Sequence, residues 1–174
     1  MSDGNSGFNA VFGGGGGGGA TINRTNGSFS LQNDITITIP LLPTAIAYSS
    51  IDLSDGISPA SDGTINFSVE GIYMVNVTYN FAHISLLTAD FGYVWYQLSG
   101  VDVPESNRIV TFNQNIKEST LSVSYMVKIG ALMSGGFDTI QLFFTATSTD
   151  ILLFYDNGTS PKTSSVNCNV FQIA

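Results

Sequence analysis

The chain has 174 residues, of which 43% are hydrophobic and only 10% are charged, and its formal net charge is −8. Typical soluble domains carry about 25% charged residues, so we expect part of this surface to be covered in an oligomer or a larger assembly. Its five lysines and arginines are scattered along the chain. Nucleic-acid binding needs clustered cations that replace the counterions on phosphates, and the composition therefore argues against nucleic acid as a partner.

A run of seven glycines, Gly13–Gly19, follows a short N-terminal peptide. Glycine has no side chain to pack, so the run predicts a flexible linker with an r.m.s. span of roughly 15 Å. Before it, Phe8, Val11 and Phe12 form an apolar group, which we interpret as a docking peptide for a partner's groove or a neighbouring subunit. A disordered start is the alternative. The predicted division is a docking peptide over 1–12, a glycine-rich linker over 13–31 and a β-domain over 32–174.

Alternation of apolar and polar residues with a period of two dominates the rest of the chain, and helix signals are nearly absent. The predicted strands cover residues 35–39, 45–48, 51–53, 64–69, 72–83, 91–99, 108–112, 121–129, 139–146 and 166–173, with 151–155 as a further candidate. Short strands separated by frequent turns are typical of a β-sandwich or jelly roll. The fold class is therefore predicted to be all-β, a single antiparallel jelly-roll sandwich of eight to ten strands.

Two predicted strands are apolar on both faces, at residues 93–96 and 140–144. The outer face of a monomeric sandwich is normally polar, so we expect another subunit to cover one outer face. The interface candidates are Tyr93, Trp95, Tyr125, Phe143 and Phe144. Since the last strand reaches residue 173, the N-terminal arm is expected to be the free end. The sequence after Met1 lacks the apolar segment that a secretion signal requires, and no apolar stretch is long enough to cross a bilayer. We therefore expect no membrane partner.

The stretch from Ser61 to Val77 contains a strand with Phe67, a turn at Gly71 and then Tyr73 in an alternating strand. It resembles the jelly roll of the complement-one-q and tumour-necrosis-factor superfamily. Weaker matches are the segment 123–140, with an inserted Gly-Gly-Phe-Asp turn, and the ending 171–173. The resemblance covers about residues 32–174. It implies a homotrimer that forms through an apolar face of one sheet. The sequence does not decide between a trimer and a pentamer.

No pattern points to catalysis or to a cofactor. His83, the only histidine, has no nucleophile motif in the sequence and is interpreted as a structural or an exposed residue. Cys168, the only cysteine, falls in an alternating strand and is predicted to be a buried thiol. Oxygen-rich loops at 52–56, 61–63 and 156–158 could suit calcium, but Asp-Gly and Asn-Gly are also ordinary turn residues, and the turn interpretation is favoured. No metal ligand, cofactor or catalytic residue is assigned.

These observations favour a non-enzymatic structural protein over an enzyme. The leading hypothesis is a trimeric jelly roll attached by its N-terminal arm to a larger shell, as a virion capsid component of the minor-capsid, spike or head-fibre type. Phe8, Val11 and Phe12 would anchor the arm in that shell. The alternative is a surface binding module, on a bacterial spore or a phage fibre, that recognises a host receptor or a glycan.

Overall fold

A computed structural model of the chain describes residues 24–85, 89–113, 116–156, 158 and 163–174. The described residues form two antiparallel sheets and one short 3₁₀ helix, Pro104–Ser106. The strands are β1 (Asn26–Leu31), β2 (Ile35–Thr36), β3 (Thr44–Ala45), β4 (Ser50–Asp55), β5 (Ile57–Pro59), β6 (Ile65–Phe67), β7 (Gly71–His83), β8 (Asp90–Leu98), β9 (Val101–Asp102), β10 (Arg108–Phe112), β11 (Glu118–Ile129), β12 (Ile140–Ala146), β13 (Ile151–Leu153) and β14 (Val166–Gln172). The predicted all-β sandwich is confirmed.

The first sheet, called sheet A, is organised around β7, its longest strand. β11 pairs with β7 from Gly71 to Ala82 along one edge. β14 and β13 pair with successive parts of the other edge, at residues 73–79 and 81–83. β1 follows β14, and β4 follows β1. Both edges of β7 are therefore saturated with backbone hydrogen bonds, which fixes the register of the sheet.

The second sheet, called sheet B, has the strand order β10–β8–β12–β6–β5. Two short strands complete its edges, since β3 pairs with β12 and β9 pairs with β8. β8 and β12 are paired from Gly92 to Leu98 and from Ile140 to Ala146. Because side chains alternate between the two faces of a strand, every second residue of this pair points away from sheet A.

Aromatic rings join the two sheets. Phe81 of β7 lies 6.1 Å from Phe112 of β10 and 5.8 Å from Phe144 of β12, both in edge-to-face contact. Tyr96 of β8 and Tyr125 of β11 meet edge to face at 4.9 Å. Edge-to-face pairs contribute about 0.5–1.5 kcal/mol beyond the burial of their area. The core therefore runs between the sheets across their full width.

The residues that carry the family resemblance meet at one end of the sandwich. The Phe67 and Tyr73 rings lie 4.6 Å apart. The Tyr73 hydroxyl donates to the Val69 carbonyl at 2.8 Å and accepts from Thr25 Oγ1 at 3.0 Å. Tyr73 therefore closes the turn that Gly71 makes and also holds the chain where it enters β1.

Two sequence predictions need correction. The linker was predicted to continue to residue 31, but Asn26–Leu31 is β1, which pairs with β14 and β4 inside sheet A. The β-domain therefore begins before residue 32. The strand predicted at 35–39 contains only Ile35–Thr36. The prediction that the last strand is built into the sheet is confirmed, since the Ile72 amide donates to the Ala174 carbonyl at 2.6 Å.

The Ser61–Gly63 turn depends on glycine. Gly63 has a φ of +88° and its missing Cβ would collide with the carbonyl oxygen of Ile46. Gly100 has a similar φ of +80°, but its Cβ would meet nothing within 4 Å. The left-handed conformation costs a non-glycine residue roughly 1–2 kcal/mol. Gly63 therefore combines the backbone cost with a steric conflict, whereas Gly100 has the backbone cost alone.

We predict that Gly63→Ala lowers the free energy of unfolding by about 3 kcal/mol or more, because the collision with Ile46 adds to the backbone strain. Gly100→Ala is the matched control and is expected to cost about 1 kcal/mol. Urea unfolding of the two full-length variants measures both values. Equal losses for the two variants would contradict the proposed close approach at Gly63.

Buried hydroxyl and thiol groups lie in the core beside β7. Burial raises the pKa of the Cys168 thiol from its ordinary value of 9.0 to about 12. Burial also raises the pKa of Tyr125 to about 12, although the nearby Arg108 guanidinium acts in the opposite direction. The predicted buried thiol is confirmed. In the unfolded chain these groups would titrate near 9 and 10.

The unfolded chain therefore loses these protons at a lower pH than the folded chain does. We predict that these two groups add no pH dependence to stability below about pH 9, and that stability falls between about pH 9 and pH 12, by roughly 1.4 kcal/mol per pH unit for each such group. Urea midpoints measured across this range test the prediction. Cys168→Ala is expected to lower the midpoint at every pH but to give a shallower alkaline fall. An unchanged slope in that variant would exclude the thiol as a contributor.

Candidate functional site

A groove of about 420 Å³ crosses the outer face of sheet B. Its floor contains Tyr93 and Trp95, which are outward residues of β8. Leu41 lies on the β12 side, where its amide donates to the Ala146 carbonyl at 2.8 Å. Val103 and Pro104 line the groove on the opposite side of β8. This cavity is called the Trp95 groove below.

The indole of Trp95 is held from two directions. It stacks on the Phe143 ring with centroids 5.6 Å apart and an interplanar angle of 17°. Its Nε1 donates to Asp102 Oδ1 at 2.8 Å, and Gln97 Nε2 donates to the same oxygen at 3.0 Å. The aromatic floor is therefore preorganised, and one carboxylate oxygen at its rim is already engaged.

The five predicted interface residues divide between two environments. Tyr93, Trp95 and Phe143 are half-buried on the outer face of sheet B, and their role in subunit contacts stays a prediction. Tyr125 and Phe144 point inward. Phe144 is fully buried, and the Tyr125 hydroxyl donates to the Ser106 carbonyl at 3.1 Å. Because they belong to the core of a single chain, Tyr125 and Phe144 are not available to another subunit.

The outer face of sheet A has a different chemistry. Its central outward residues are small and polar, and none is charged; they are Ser28, Asn76, Thr78, Asn80, Thr120, Ser122, Ser124, Asn167 and Asn169. Neighbouring strands are linked here by side-chain hydrogen bonds. Ser124 Oγ donates to Asn76 Oδ1 at 2.7 Å, and Thr120 Oγ1 donates to Asn80 Oδ1 at 2.8 Å. We call this surface the neutral face.

One end of the neutral face is apolar. Phe171, Met74 and Met126 are opposite one another on three adjacent strands, β14, β7 and β11. Met126 is 66% exposed and Phe171 is 40% exposed. The charged outward residues of β11, Glu118 and Lys128, lie only at its two ends. Sequence reasoning missed this face because its Asn, Ser and Thr residues read as ordinary solvent-exposed positions.

The comparison with solved structures finds the same architecture in another protein. Crystal structures of murine APRIL at pH 8.0 and pH 5.0 superpose with TM-scores of 0.54 and 0.53 at 9% sequence identity. A third, at pH 8.5, gives 0.54 at 10% identity. Each alignment covers 86% of this chain and 99% of the APRIL chain. No protein-family model matches the sequence, and the comparison with curated proteins found no match.

The fold is a TNF/C1q-like jelly roll. At this level of sequence identity the likeness establishes the fold alone. The resemblance drawn from Phe67, Gly71 and Tyr73 is confirmed as a resemblance in fold.

His83 of this jelly roll is buried rather than exposed. Its Nε2 lies 3.1 Å from Asp90 Oδ2, and its ring packs against Phe112 at 5.4 Å. Thr147 Oγ1 donates to Asp90 Oδ1 at 3.2 Å. The hydroxyl thus meets the carboxylate and not the imidazole, so the described residues around this pair do not form a nucleophile–histidine–carboxylate arrangement. Local sequence patterns do not reveal the pair, because seven positions separate His83 from Asp90.

The oxygen-rich loops make turn hydrogen bonds. Asp62 Oδ1 accepts from the Thr64 amide at 2.9 Å, and this bond lowers the pKa of the Asp62 carboxyl. Asp156 Oδ1 accepts from the Gly158 amide at 2.9 Å. Over the described ranges, no group of three or more His, Cys, Asp or Glu side chains is placed to hold a metal ion. The geometry agrees with the turn interpretation at Asp62 and Asp156. The interpretation of 52–56 as a loop is wrong, because Ser50–Asp55 is β4 and pairs with β1.

Two further observations concern the predicted arm and the membrane. Phe8, Val11, Phe12 and the glycine run lie outside the described residues, so their predicted docking and linker roles stay predictions. In the part of the chain that the structure describes, no helix has the length and apolar character needed to span a membrane.

Proposed function

We propose that this protein is a non-enzymatic structural protein whose jelly roll forms a homotrimer and whose N-terminal arm attaches it to a larger shell, as a virion capsid component. The neutral face of sheet A is the observation that carries the proposal. Charged residues are depleted at the centre of protein interfaces. The chain has a net charge of −8, so acidic side chains would be expected on a face that is exposed to solvent, and the centre of this face has none.

The hydrogen bonds of the neutral face suit contact with a second copy. Asn76 and Asn80 each use their side-chain oxygen to accept from β11 hydroxyls. Polar groups that already have partners can be removed from water at a lower cost than free ones. The apolar row of Met74, Met126 and Phe171 adds area whose burial is favourable, at about 25 cal/mol per Å². A second copy can therefore cover this face without leaving a buried charge.

Three copies are proposed because the TNF/C1q resemblance implies a trimer. Sheet A is preferred over sheet B as the trimer face because sheet B presents a walled groove, which suits a narrow ligand better than a second sheet. The shell attachment and the virion location rest on the arm predicted from Phe8, Val11 and Phe12, on the low charge of the chain and on a fold with no catalytic arrangement among the residues that the structure describes.

The groove on sheet B supports the alternative function. Trp95 and Tyr93 offer aromatic surface next to the Asp102 carboxylate and Asn107, which is chemistry that a glycan or a receptor segment could use. A spore-surface or phage-fibre binding module would depend on this groove and would not require the neutral face to be covered.

Ser122→Lys tests the trimer, because it places a charge at the centre of the neutral face. Ser122 is exposed in the single chain, so the substitution should leave folding intact, while an unpaired charge buried in an interface costs several kcal/mol. We predict that light scattering gives about three times 18.4 kDa for the natural chain and a single-chain mass for Ser122→Lys.

Thr111→Lys provides the matched control. Thr111 is an exposed residue of β10 on the outer face of sheet B, and this variant should keep the trimer mass. A natural chain that is monomeric at all concentrations would refute the proposed trimer. Dissociation by Thr111→Lys but not by Ser122→Lys would instead move the interface to sheet B.

A further inference from the structure

We propose that the N-terminal peptide Gly7–Phe12 binds in the Trp95 groove of its own subunit, so that the arm is stowed there until a shell partner displaces it. This inference rests on the proposed function only in giving the arm a later partner. Binding is otherwise supported by the chemistry of the groove and of the peptide, which belong to the same chain.

The groove has the chemistry that this peptide needs. Leu41, Val103 and Pro104 supply aliphatic walls, and Tyr93 and Trp95 supply an aromatic floor. The peptide Gly7-Phe8-Asn9-Ala10-Val11-Phe12 contains no charged residue. In an extended peptide, residues four apart lie on the same face, so the Phe8 and Phe12 rings can enter the groove together. An uncharged aromatic peptide also avoids repulsion by the Asp102 carboxylate at the rim.

The chain enters the fold at the end of the sandwich where β8 finishes. The Thr25 carbonyl accepts from the Gln172 amide, and the Ala174 carbonyl accepts from Ile72 at the start of β7. Gly71 is opposite Ile129, the last residue of β11. The turn after β11 brings the chain to Ile140, which is opposite Leu98 in sheet B. Thr25 and Leu98 are therefore at the same end, and Trp95 lies three residues, or about 10 Å, from Leu98.

The connecting segment is long enough to reach the groove. Twelve residue steps separate Phe12 from Arg24, which span at most about 40 Å when extended and roughly 20 Å as an r.m.s. distance for a glycine-rich chain. To pass from sheet A to the outer side of sheet B, the segment must cover the distance between two packed sheets, which is about 10 Å. It must also cover a similar distance along and across sheet B. The required distance therefore falls between the r.m.s. span and the extended span.

A short linker also raises the local concentration of the peptide. Flexible linkers of this size give effective concentrations in the millimolar range, so a peptide with weak intrinsic affinity can still fill the groove of its own subunit. The seven glycines permit the reversal of direction that the path demands, because glycine readily adopts both signs of φ. A peptide from outside the chain would have to compete with this tethered one.

The single tryptophan of the chain, Trp95, reports on the groove directly. The experiment compares Trp95 emission and acrylamide quenching in the full-length natural chain and in Phe8→Ala/Phe12→Ala. We expect the double variant to show red-shifted emission and a severalfold higher quenching constant, because the indole gains water when the peptide leaves. Asn5→Ala/Asn9→Ala, in the same segment, is the matched control and should match the natural chain. A synthetic peptide of residues 5–14, added at millimolar concentration, should reverse the change in the phenylalanine variant.

Identical emission and quenching in the natural chain and in Phe8→Ala/Phe12→Ala would overturn the proposal. The comparison is repeated in the Ser122→Lys background, where each chain is expected to be separate. If the natural chain and the phenylalanine variant still differ in quenching in this background, the peptide docks within one subunit. If the difference is lost, the peptide docks on a neighbouring copy and the proposal is overturned. Light scattering of the same samples reports the trimer independently, so failure of the proposed function and failure of this inference give different results.

Discussion

The pairing of β7 on both of its edges is the constraint on which the rest of this structure depends. β11 occupies one edge from Gly71 to Ala82, and β14 occupies the other from Tyr73 to Tyr79. Since the strand cannot shift its register without breaking both ladders, its inward residues are fixed as Tyr73, Val75, Val77, Tyr79 and Phe81. These five side chains are the contribution of β7 to the hydrophobic core. The same register decides which residues of three strands face outward.

That outward set explains how one chain can have two unlike surfaces. Sheet A presents the neutral face, where hydroxyl and amide side chains bond to one another across strands. Sheet B presents the Trp95 groove, whose floor is aromatic and whose walls come from flanking loops. An uncharged surface suits contact with a neighbouring copy of the chain, whereas a walled groove suits a single extended peptide.

Much of the fold could be predicted from local sequence because its strands alternate clearly. The Phe67, Gly71 and Tyr73 spacing indicated the right fold, since these residues meet around one turn. β1 was missed because Asn-Gly-Ser precedes its only large inward residues, Phe29 and Leu31, and reads as part of the linker. Its status as a strand comes from long-range pairing with β14, which local pattern does not show.

The interface residues were only partly predictable for a related reason. Phe143 and Phe144 are consecutive, so they must point to opposite faces of β12, and composition does not say which one is inside. The structure places Phe144 against Phe81 in the core and Phe143 against Trp95 on the surface. The His83–Asp90 pair likewise forms because β7 and β8 belong to different sheets that meet at one end, which is a tertiary property.

Methionine oxidation tests most directly whether another copy covers the neutral face. Met126 is 66% exposed in the single chain, Met74 is half-buried beside it, and Met133 is fully exposed in the turn after β11. The full-length protein is treated with dilute hydrogen peroxide, and the rate of sulfoxide formation at each methionine is followed by mass spectrometry. We predict that Met133 oxidises rapidly while Met126 and Met74 are protected. Oxidation of Met126 at a rate close to that of Met133 would contradict it.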